Sequence, residues 1–488
     1  GQPYYVSTSG SDSNTGTITS PFATISKAVS VVSAGQTIYV RGGTYNLKST
    51  ISISKSGTAG SYINLFAYQG ERPVLDFSGQ AFGSKGISLK GSYWHFRGLD
   101  VTKSGDNGLN ISGGNFNIIE FCSFYRNQDS GLQLDGGSSN DTISNCDSYF
   151  NADPTDYGDA DGFAVKMNVG TGNYFYGCRS WRNVDDGWDG YLRGANDVST
   201  TLVNCWAFEN GYFEDGTDAG VNANGNGFKM GGSDSTNLKH NFTLKQCLAF
   251  NNKAKGFDQN NNKGSMTLYN CSGYNNLVAD YRINTTLAVG KTLTLKNCLD
   301  LGKIPGLGSF AIQQANSWLL FTSTNSITSS DFVSVDPSDV TAARKSDGSL
   351  PDITFMHLTP GDRMVDAGVN VGLPYAGTAP DLGCFETNLT AVADIPYSYG
   401  TECYPNPVSA SATLHINLNK GGTLEADLYD ISGRYVRHLL DENTDAGEQL
   451  KPLDLSGLRE GMYIYTVKLN GVRIATGKLL KVREEANR

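Results

Sequence analysis

Three carboxylates crowd into one short stretch of the sequence. The segment "NVDDGWDG" (183–190) places Asp185, Asp186 and Asp189 within five residues, around a glycine and a tryptophan. Carboxylates this close repel one another, so they must either face water or be neutralised. One interpretation is a solvated turn whose acids accept hydrogen bonds from backbone N–H groups. The other is a metal site, because Ca²⁺ accepts six to eight hard oxygen ligands.

An internal repeat indicates how the chain positions these acids. Seven segments align on cysteine, and in six of them an aromatic residue follows three positions later and an asparagine five positions later. The shortest spacing between neighbouring cysteines is 24 residues. Short alternating strands that recur at this period predict a solenoid of stacked parallel β coils. The aligned cysteines are Cys122, Cys146, Cys178, Cys205, Cys247, Cys271 and Cys298.

The number and spacing of the cysteines indicate a structural role. Their total of nine is odd, the chain is long for a disulfide framework, and no Cys/His spacing typical of zinc occurs. We therefore predict buried free thiols that act as small apolar fillers. We expect the repeated asparagines to bond the backbone at the turns.

A second repeat brings four acids and a lysine together. Most coils carry a Gly-apolar pair, as in "DGFA", "DGWD" and "NGFK", whose apolar residue should point inward and whose next residue should point outward. Neighbouring coils stack about 4.8 Å apart, so this register makes Asp161 a neighbour of Asp186, and Asp189 a neighbour of Lys229. Asp185 adjoins Asp186 in sequence. We therefore predict a metal site formed by Asp161, Asp185, Asp186 and Asp189, beside Lys229.

Lys229 has two interpretations. It can be an exposed lysine that pairs with Asp189, or a general base, which requires that burial or nearby positive charge lower its pKa. Its segment "NGNGFKMGG" (224–232) contains glycines that leave room for a ligand at the wall. A uronate polymer suits both features, because Ca²⁺ would bridge the aspartates to the uronate carboxylate and acidify the hydrogen on C5. Lys229 would remove that proton, and expulsion of the C4 oxygen would cleave the polymer by β-elimination.

The same residues resemble a known family. The segments "DGFAVK", "NVDDGWD" and "NGFKMGG" are similar to the signatures of polysaccharide lyase family nine. The resemblance implies a right-handed parallel β-helix over residues 1–386, with an amphipathic helical cap near 22–33. It also implies a Ca²⁺-dependent lyase acting on pectin, in which the four aspartates bind the metal and Lys229 is the catalytic base.

The resemblance leaves two pectic substrates open. The family includes pectate lyases, which cleave homogalacturonan, and rhamnogalacturonan lyases, which cleave the rhamnogalacturonan I backbone. Taken whole, the chain resembles surface enzymes of gut Bacteroidetes that act on rhamnogalacturonan, so that substrate is favoured and homogalacturonan is the alternative. Four further cations would bind more uronates along the groove or would be plain solvated side chains: Lys166, Lys253, Lys255 and Arg282.

The end of the chain forms a second predicted domain. A polar stretch at 387–402 is predicted as a linker, and residues 403–488 alternate like strands joined by Gly and Asn turns. This region, from "YPNP" to "GKLLKV", resembles the C-terminal sorting-type β-sandwich of secreted Bacteroidetes proteins. The match implies export to the cell surface or the extracellular space. The chain is thus predicted to be all-β, a parallel β-helix followed by a small β-sandwich.

Composition narrows the possible partners. The net charge of −10 argues against nucleic acid, and no apolar run is long enough to span a membrane. We expect a monomer whose partner is a pectic polysaccharide. Two other functions stay open. A glycoside hydrolase would use paired carboxylates, and a non-catalytic, calcium-stabilised β-helix would bind carbohydrate without turnover.

Overall fold

The structure is a computed structural model. It describes residues 2–234, 237–387, 401–418, 421–431, 434–445, 447–470 and 472–483. Within these residues the chain forms two compact units. The first comprises residues 2–58, 62–369 and 381–385, and the second comprises 59–61, 370–380 and the described residues from 386 onward. The domain boundary at 386 stays a prediction, and residues 388–400 of the predicted linker lie outside the described residues.

The first unit is a solenoid of short strands and two short helices. The helices are α1 (Ile25–Val31) and α2 (Ser317–Leu320), and 3-10 turns follow at Ser323–Asn325 and Ser329–Asp331. In chain order the strands are β1 (Tyr4–Val6), β2 (Thr37–Val40), β3 (Gly43–Asn46), β4 (Ile51–Ile53), β5 (Ile63–Ala67), β6 (Pro73–Asp76), β7 (Ile87–Leu89), β8 (Trp94–Arg97), β9 (Asp100–Thr102), β10 (Leu109–Ser112), β11 (Ile118–Glu120), β12 (Ser123–Tyr125), β13 (Leu132–Asp135), β14 (Thr142–Ser144), β15 (Asp147–Tyr149), β16 (Phe163–Val165), β17 (Asn173–Tyr176), β18 (Arg179–Trp181), β19 (Trp188–Asp189), β20 (Val198–Val203), β21 (Trp206–Phe208), β22 (Phe228–Lys229), β23 (His240–Lys245), β24 (Leu248–Phe250), β25 (Lys255–Asp258), β26 (Met266–Tyr269), β27 (Ser272–Tyr274), β28 (Ala279–Ile283), β29 (Leu293–Lys296), β30 (Leu299–Leu301), β31 (Gly306–Leu307) and β32 (Ile312–Gln314).

Three parallel sheets form the walls of this solenoid. Among the described residues, the first sheet runs β1-β2-β5-β8-β11-β14-β17-β20-β23-β26-β29-β32. The second runs β4-β7-β10-β13-β16-β19-β22-β25-β28-β31, and the third β3-β6-β9-β12-β15-β18-β21-β24-β27-β30. Each full coil therefore adds one strand to every wall, which is the predicted parallel β-helix.

Like residues stack on like residues inside the coils. The apolar residues of the Gly-apolar pairs form one such row, in which the rings of Phe163, Trp188, Phe228, Phe257 and Tyr281 lie 4.7–5.2 Å apart between centroids. The seven repeat cysteines form another buried row, and all nine cysteines are free thiols, as predicted. Each row occupies the same position in successive coils, so each side chain packs on the equivalent side chains of the coils before and after it.

The repeat asparagines form a third row, at a turn. The Oδ1 of Asn151 accepts hydrogen bonds from the backbone N–H and the Nδ2 of Asn127, both at 3.0 Å. Asn151 donates in the same two ways to Asn183, at 3.2 and 2.8 Å. These side chains satisfy backbone donors that the turn would otherwise bury unpaired. The structural role expected for the asparagines is confirmed.

The first end of the solenoid and one of its walls are covered by other parts of the chain. Helix α1 lies within the predicted cap at 22–33, with Thr24 Oγ1 accepting from Lys27 N–H at its start and Ile25, Ala28 and Val29 buried. After α2 the chain runs back over the third sheet. There a second apolar cluster joins sheet residues such as Phe208 to residues of the returning segment such as Phe355.

The second unit contains seven strands in two antiparallel sheets, counted over the residues that the structure describes. They are β33 (Glu402–Tyr404), β34 (Ser411–Leu418), β35 (Gly422–Asp430), β36 (Tyr435–Thr444), β37 (Gly447–Asp454), β38 (Gly461–Leu469) and β39 (Val472–Lys481). The sheets are β33-β34-β37 and β36-β35-β38-β39, and side chains of both fill one hydrophobic cluster, as in a β-sandwich. Across the described residues, no helix has the length and apolar character needed to cross a membrane.

Candidate active site

The predicted site lies on the outer face of the second sheet. Strand pairing places five residues in one row across successive coils: Ala164, Asp189, Lys229, Asp258 and Arg282. Their inward neighbours are the buried aromatic row, so alternation along each strand turns these side chains outward. The predicted pairing of Asp189 with Lys229 is confirmed.

Asp161 and Asp186 are also neighbours, as the glycine register predicted. The backbone N–H of Asp186 donates to Asp161 Oδ1 at 3.1 Å. One carboxylate oxygen from each of Asp161, Asp186 and Asp189 lies within 4.8 Å of the others, and all three residues are buried. The loops before β16 and β19 thus bring three hard oxygen donors to one point.

Two ammonium groups lie among these carboxylates. Lys229 Nζ is 2.9 Å from Asp186 Oδ2 and 3.4 Å from Asp189 Oδ1. Lys166 Nζ is 2.8 Å from Asp161 Oδ2 and 3.4 Å from Asp189 Oδ2. We refer to these five residues as the acid–lysine cluster. Lys166 was predicted to lie in the substrate groove, but the structure buries it in this cluster.

Burial and mutual repulsion dominate the electrostatics of the cluster. Burial raises the pKa of Asp161 well above its usual value, and the charges of Asp189 and Asp186 add to that shift against the attraction of Lys166. Burial alone would raise the pKa of Asp189, but Lys229 and Lys166 hold that pKa below its usual value. Burial alone would lower the pKa of Lys229, whereas Asp186 and Asp189 raise it well above its usual value. Lys229 therefore keeps its proton while the carboxylates around it are charged.

The fourth predicted ligand, Asp185, lies beside the cluster. Its Oδ1 accepts a hydrogen bond from the backbone N–H of Asn224 at 2.7 Å, and burial followed by the charge of Asp186 raises its pKa well above the usual value. Asp186 Oδ1 accepts two hydrogen bonds from Asn226, from the backbone N–H and from Nδ2, both at 2.8 Å. The segment at 224–226 therefore holds two of the four acids in place.

The donor set fits a hard divalent cation. With Asp185 there are four buried carboxylates for two ammonium groups, so the ionised cluster carries two excess negative charges. All of the side-chain acceptors are carboxylate oxygens, which Ca²⁺ prefers, whereas softer metals prefer His or Cys. The cluster is able to bind a metal ion.

The other predicted groove cations lie apart from the cluster. Lys255 Nζ is 3.1 Å from Asp258 Oδ1, and Arg282 is exposed one coil further along the row. Lys253 instead pairs with Asp218 in the loop 211–225. Lys255 and Arg282 stay predicted substrate-binding residues, whereas Lys253 faces that loop.

The sequence analysis missed Tyr191 and placed Lys166 in the groove instead of the acid–lysine cluster. The ring of Tyr191 has its centroid 5.8 Å from Lys229 Nζ, and its backbone N–H donates to Asp189 Oδ1 at 2.9 Å. Lys166 lies two positions after Ala164, so strand alternation was a signal for its outward direction. No repeat relation indicated Tyr191, because it follows β19 in a loop.

The fold and the site define the class of protein, a parallel β-helix whose outer wall carries a buried cluster of carboxylates around two lysines. Comparison with known proteins agrees. The family model described as "Pel9A-like, right handed beta helix region" matches residues 4–294. Pectate lyase L of Dickeya chrysanthemi is 36% identical over 400 residues, which cover 79% of this chain and 90% of that protein.

Solved structures give the same result. The crystal structure of pectate lyase Pel9A is similar with a TM-score of 0.72 and 35% identity, over 80% of this chain and 97% of that one. A structure of a rhamnogalacturonan lyase has a TM-score of 0.63 and 27% identity, over 74% and 97%. The chain belongs to the Pel9A-like β-helix family, polysaccharide lyase family nine, and it is a polysaccharide lyase. The predicted fold, including its right hand, is confirmed.

The end of the chain matches a second family model. Residues 402–481 match the secretion system C-terminal sorting domain. This domain indicates export to the cell surface or the extracellular space, so the predicted localisation is confirmed.

Proposed function

We propose that this lyase is a Ca²⁺-dependent pectate lyase that cleaves homogalacturonan by β-elimination. The observation that carries the proposal is the position of Lys229, whose Nζ lies within 3.4 Å of two buried carboxylates on the outer wall of the β-helix. A base among hard-metal ligands suits a substrate that is itself a carboxylate. Asp161, Asp185, Asp186 and Asp189 are the proposed metal ligands.

The chain's own groups supply the proton transfer. When bound, calcium neutralises the uronate carboxylate and makes the hydrogen on C5 acidic. Lys229 Nζ accepts that proton, the C5–H electron pair becomes the C4–C5 double bond, and the C4–O bond breaks. The leaving oxygen takes a proton from water, and the hydroxide so formed takes the proton from Lys229. The products are one new chain end and one unsaturated uronate end, and Lys229 is neutral again.

Lys229 has to be neutral before it accepts a proton. The carboxylates of Asp186 and Asp189 hold its proton in the structure, because their charges raise its pKa well above the usual value. Neutralisation of those carboxylates therefore removes the interaction that keeps Lys229 protonated. The ring of Tyr191 lies on one side of Nζ, with its centroid 5.8 Å away.

The relatives favour homogalacturonan over the substrate that the sequence analysis preferred. The relative and the structure named pectate lyase are 36% and 35% identical to this chain, whereas the rhamnogalacturonan lyase structure is 27% identical. Rhamnogalacturonan I is the second candidate, because that structure still covers 74% of the chain.

Product formation on two polymers tests the proposal. The ultraviolet absorbance of the unsaturated product is followed on polygalacturonate and on rhamnogalacturonan I, each with Ca²⁺ and with a chelator. We expect a calcium-dependent rise on polygalacturonate. A rise only on rhamnogalacturonan I would show that this polymer, and not homogalacturonan, is the substrate. A rise in the presence of the chelator would show that the reaction does not need calcium.

A rival hydrolase is separated by the same assay. Hydrolysis releases reducing ends without ultraviolet absorbance, whereas β-elimination produces both together. Titration calorimetry of Ca²⁺ into the chelator-treated protein adds a readout that does not depend on turnover. Absence of Ca²⁺ binding there would overturn the proposed ligand set.

A further inference from the structure

A cleft of about 470 Å³ opens on a different wall from Lys229. It lies between the third sheet and the segment 341–348 of the returning chain, and we call it the arginine cleft. Five cationic side chains line it, together with the carboxylates of Asp147 and Asp347, and three of the five cations also pair with acids outside the lining. The cations are Arg72, Arg97, Arg179, Arg344 and Lys345.

The floor of the cleft carries fixed positive charge. Arg179 donates to Asp147 through Nε and Nη2, both at 2.9 Å. Arg344 donates to the same carboxylate through Nη2 and Nε, at 2.6 and 3.2 Å. Two guanidinium groups therefore share one carboxylate, and one positive charge is left over. Burial alone would raise the pKa of Asp147, but Arg344 and Arg179 lower it to about 2.

Backbone contacts make this floor rigid. Arg179 Nη1 donates to the carbonyls of Val340 and Ala342, both at 2.9 Å. Arg344 Nη2 donates to the carbonyl of Cys146 at 3.0 Å, and its Nη1 donates to that of Gly348 at 3.1 Å. These hydrogen bonds fix the orientation of both guanidinium groups, so the excess positive charge is held in one place. Such preorganisation favours the binding of an anion.

The mouth of the cleft adds cations that are open to water. The side chains of Arg97, Arg72 and Lys345 are 54%, 42% and 40% exposed. Arg97 Nε is 3.7 Å from Glu120 Oε1, and its guanidinium stacks on Phe121 with 5.0 Å to the ring centroid. Arg72 is held by Asp100, with Nε 2.7 Å from Asp100 Oδ1, and Lys345 pairs with the exposed Asp352. The pairs of Arg97 and Lys345 are exposed and therefore weak, so a ligand carboxylate is able to compete for these two cations.

We propose that the arginine cleft is a second binding site for an anionic oligosaccharide, with a uronate carboxylate seated against the excess charge of the floor. The volume suits a small organic ligand and exceeds what a simple anion needs. Phe121 supplies apolar ring surface, Tyr149 is stacked between Tyr125 and Trp181, and Ser123 and Ser346 supply hydroxyl groups for sugar hydroxyls. The choice of a uronate rests on the proposed function. The site would retain the enzyme on the polymer that it cleaves.

Binding in the presence of a chelator separates the cleft from the active site. Without Ca²⁺ no cation bridges the carboxylates of the acid–lysine cluster to a uronate, so the cluster should not bind one. Trigalacturonate is titrated into the full chain under these conditions by calorimetry. We expect one site, which the double variant Arg97→Ala/Lys345→Ala weakens by about tenfold and added salt weakens further. Asp347→Asn removes a lining carboxylate, so it should tighten binding.

Controls decide between the possible occupants. Lys296→Ala changes a half-buried lysine on the first sheet and should leave binding unchanged. A neutral galactose trisaccharide should not bind. Equal binding of inorganic phosphate would show a simple anion site and overturn the oligosaccharide proposal, as would undiminished trigalacturonate binding by the double variant.

The two proposals fail independently. Loss of the lyase proposal would appear as absent ultraviolet product on the polymers, whatever trigalacturonate does in chelator. Loss of the cleft proposal would appear as no binding in chelator by a protein that still cleaves with calcium. The double variant should cleave short oligogalacturonates at the wild-type rate, because neither residue lies on the second sheet.

Discussion

Two buried groups of charge lie on different walls of the β-helix and carry excess charge of opposite sign. On the second sheet, the acid–lysine cluster and Asp185 place four carboxylates around two ammonium groups. On the third sheet, the floor of the arginine cleft places two guanidinium groups on one carboxylate. The acid–lysine cluster is almost fully buried, whereas Arg344 and Asp147 of the cleft floor are 13% and 11% exposed, so water relieves little of either excess.

The difference lies in what each group does to its carboxylates. Arginines lower the pKa of Asp147 to about 2, so that carboxylate is charged at any working pH. Burial raises the pKa of Asp161 well above its usual value, so that carboxylate needs a further cation to stay charged. Both groups are largely buried, but their excess charges differ in sign. The sign of the excess charge therefore indicates which ion each site accepts.

The largest expected effect is at the proposed base. Lys229→Ala should lower the rate of ultraviolet product formation by about 10²- to 10⁴-fold, the usual contribution of a positioned general base. Calcium binding should persist, because the carboxylates remain. The matched variant Lys296→Ala should retain the wild-type rate. A rate within twofold of wild type for Lys229→Ala would assign the proton transfer to another group.

Removing a carboxylate tests the negative excess. Asp186→Asn should weaken Ca²⁺ binding by about 100-fold or more, because one hard ligand and one negative charge disappear together. Calorimetry of Ca²⁺ measures the change directly. Asp156→Asn, an exposed acid in the preceding loop, is the control. Equal calcium affinity in both variants would show that Asp186 and the negative charge of the acid–lysine cluster do not bind the metal.

A variant of the cleft floor should lose stability at a higher pH than the wild type does. The pKa of Asp147 is depressed, so its contribution to stability is present above the unfolded value near 3.8 and is lost as pH falls to about 2. That contribution is about 2 kcal/mol. Arg344→Gln should raise the pKa of Asp147 and move the acid-induced loss of stability to higher pH. Denaturant midpoints between pH 5 and 2 measure the shift, and identical profiles would contradict it.

The smallest effect is expected at the second ammonium group. Lys166→Met should tighten Ca²⁺ binding by about tenfold, because it removes a cation that competes for Asp161 and Asp189. The calcium-free protein should unfold at a lower temperature, since two buried carboxylates lose a partner. Lys166→Arg keeps the charge and should restore both values. Weaker calcium binding by Lys166→Met would show that the lysine organises the ligands.

Stacked repeats made much of the candidate active site predictable. The glycine register alone placed Asp161 beside Asp186 and Asp189 beside Lys229, because equal positions in successive coils become neighbours. The sequence also predicted the β-helix and its buried free cysteines. Lys166 was assigned to the groove. The alternation of side chains along a strand predicts that Lys166 points outward, but it does not predict which residues this long side chain contacts.

The arginine cleft was beyond the same reasoning. Arg344 meets Asp147 across 197 residues of sequence, in a segment that follows no repeat. Only the packing of the returning chain on the third sheet brings them together. Tyr191 escaped for another reason. The Gly-apolar repeat that located the site ends at Asp189, although the next residue after Tyr191, Leu192, still bridges to Met167 and Ser233 in the neighbouring coils.

The row of buried cysteines has a consequence for the working life of the enzyme outside the cell. While the coils stay stacked, seven thiols are sealed within the wall, and each is in contact with its own coil's backbone. Unfolding would release them together into oxidising surroundings, where mismatched disulfides form and block refolding. The durability of the enzyme is then set by how rarely its coils open, which is a rate, and not by how favourable the folded state is at equilibrium.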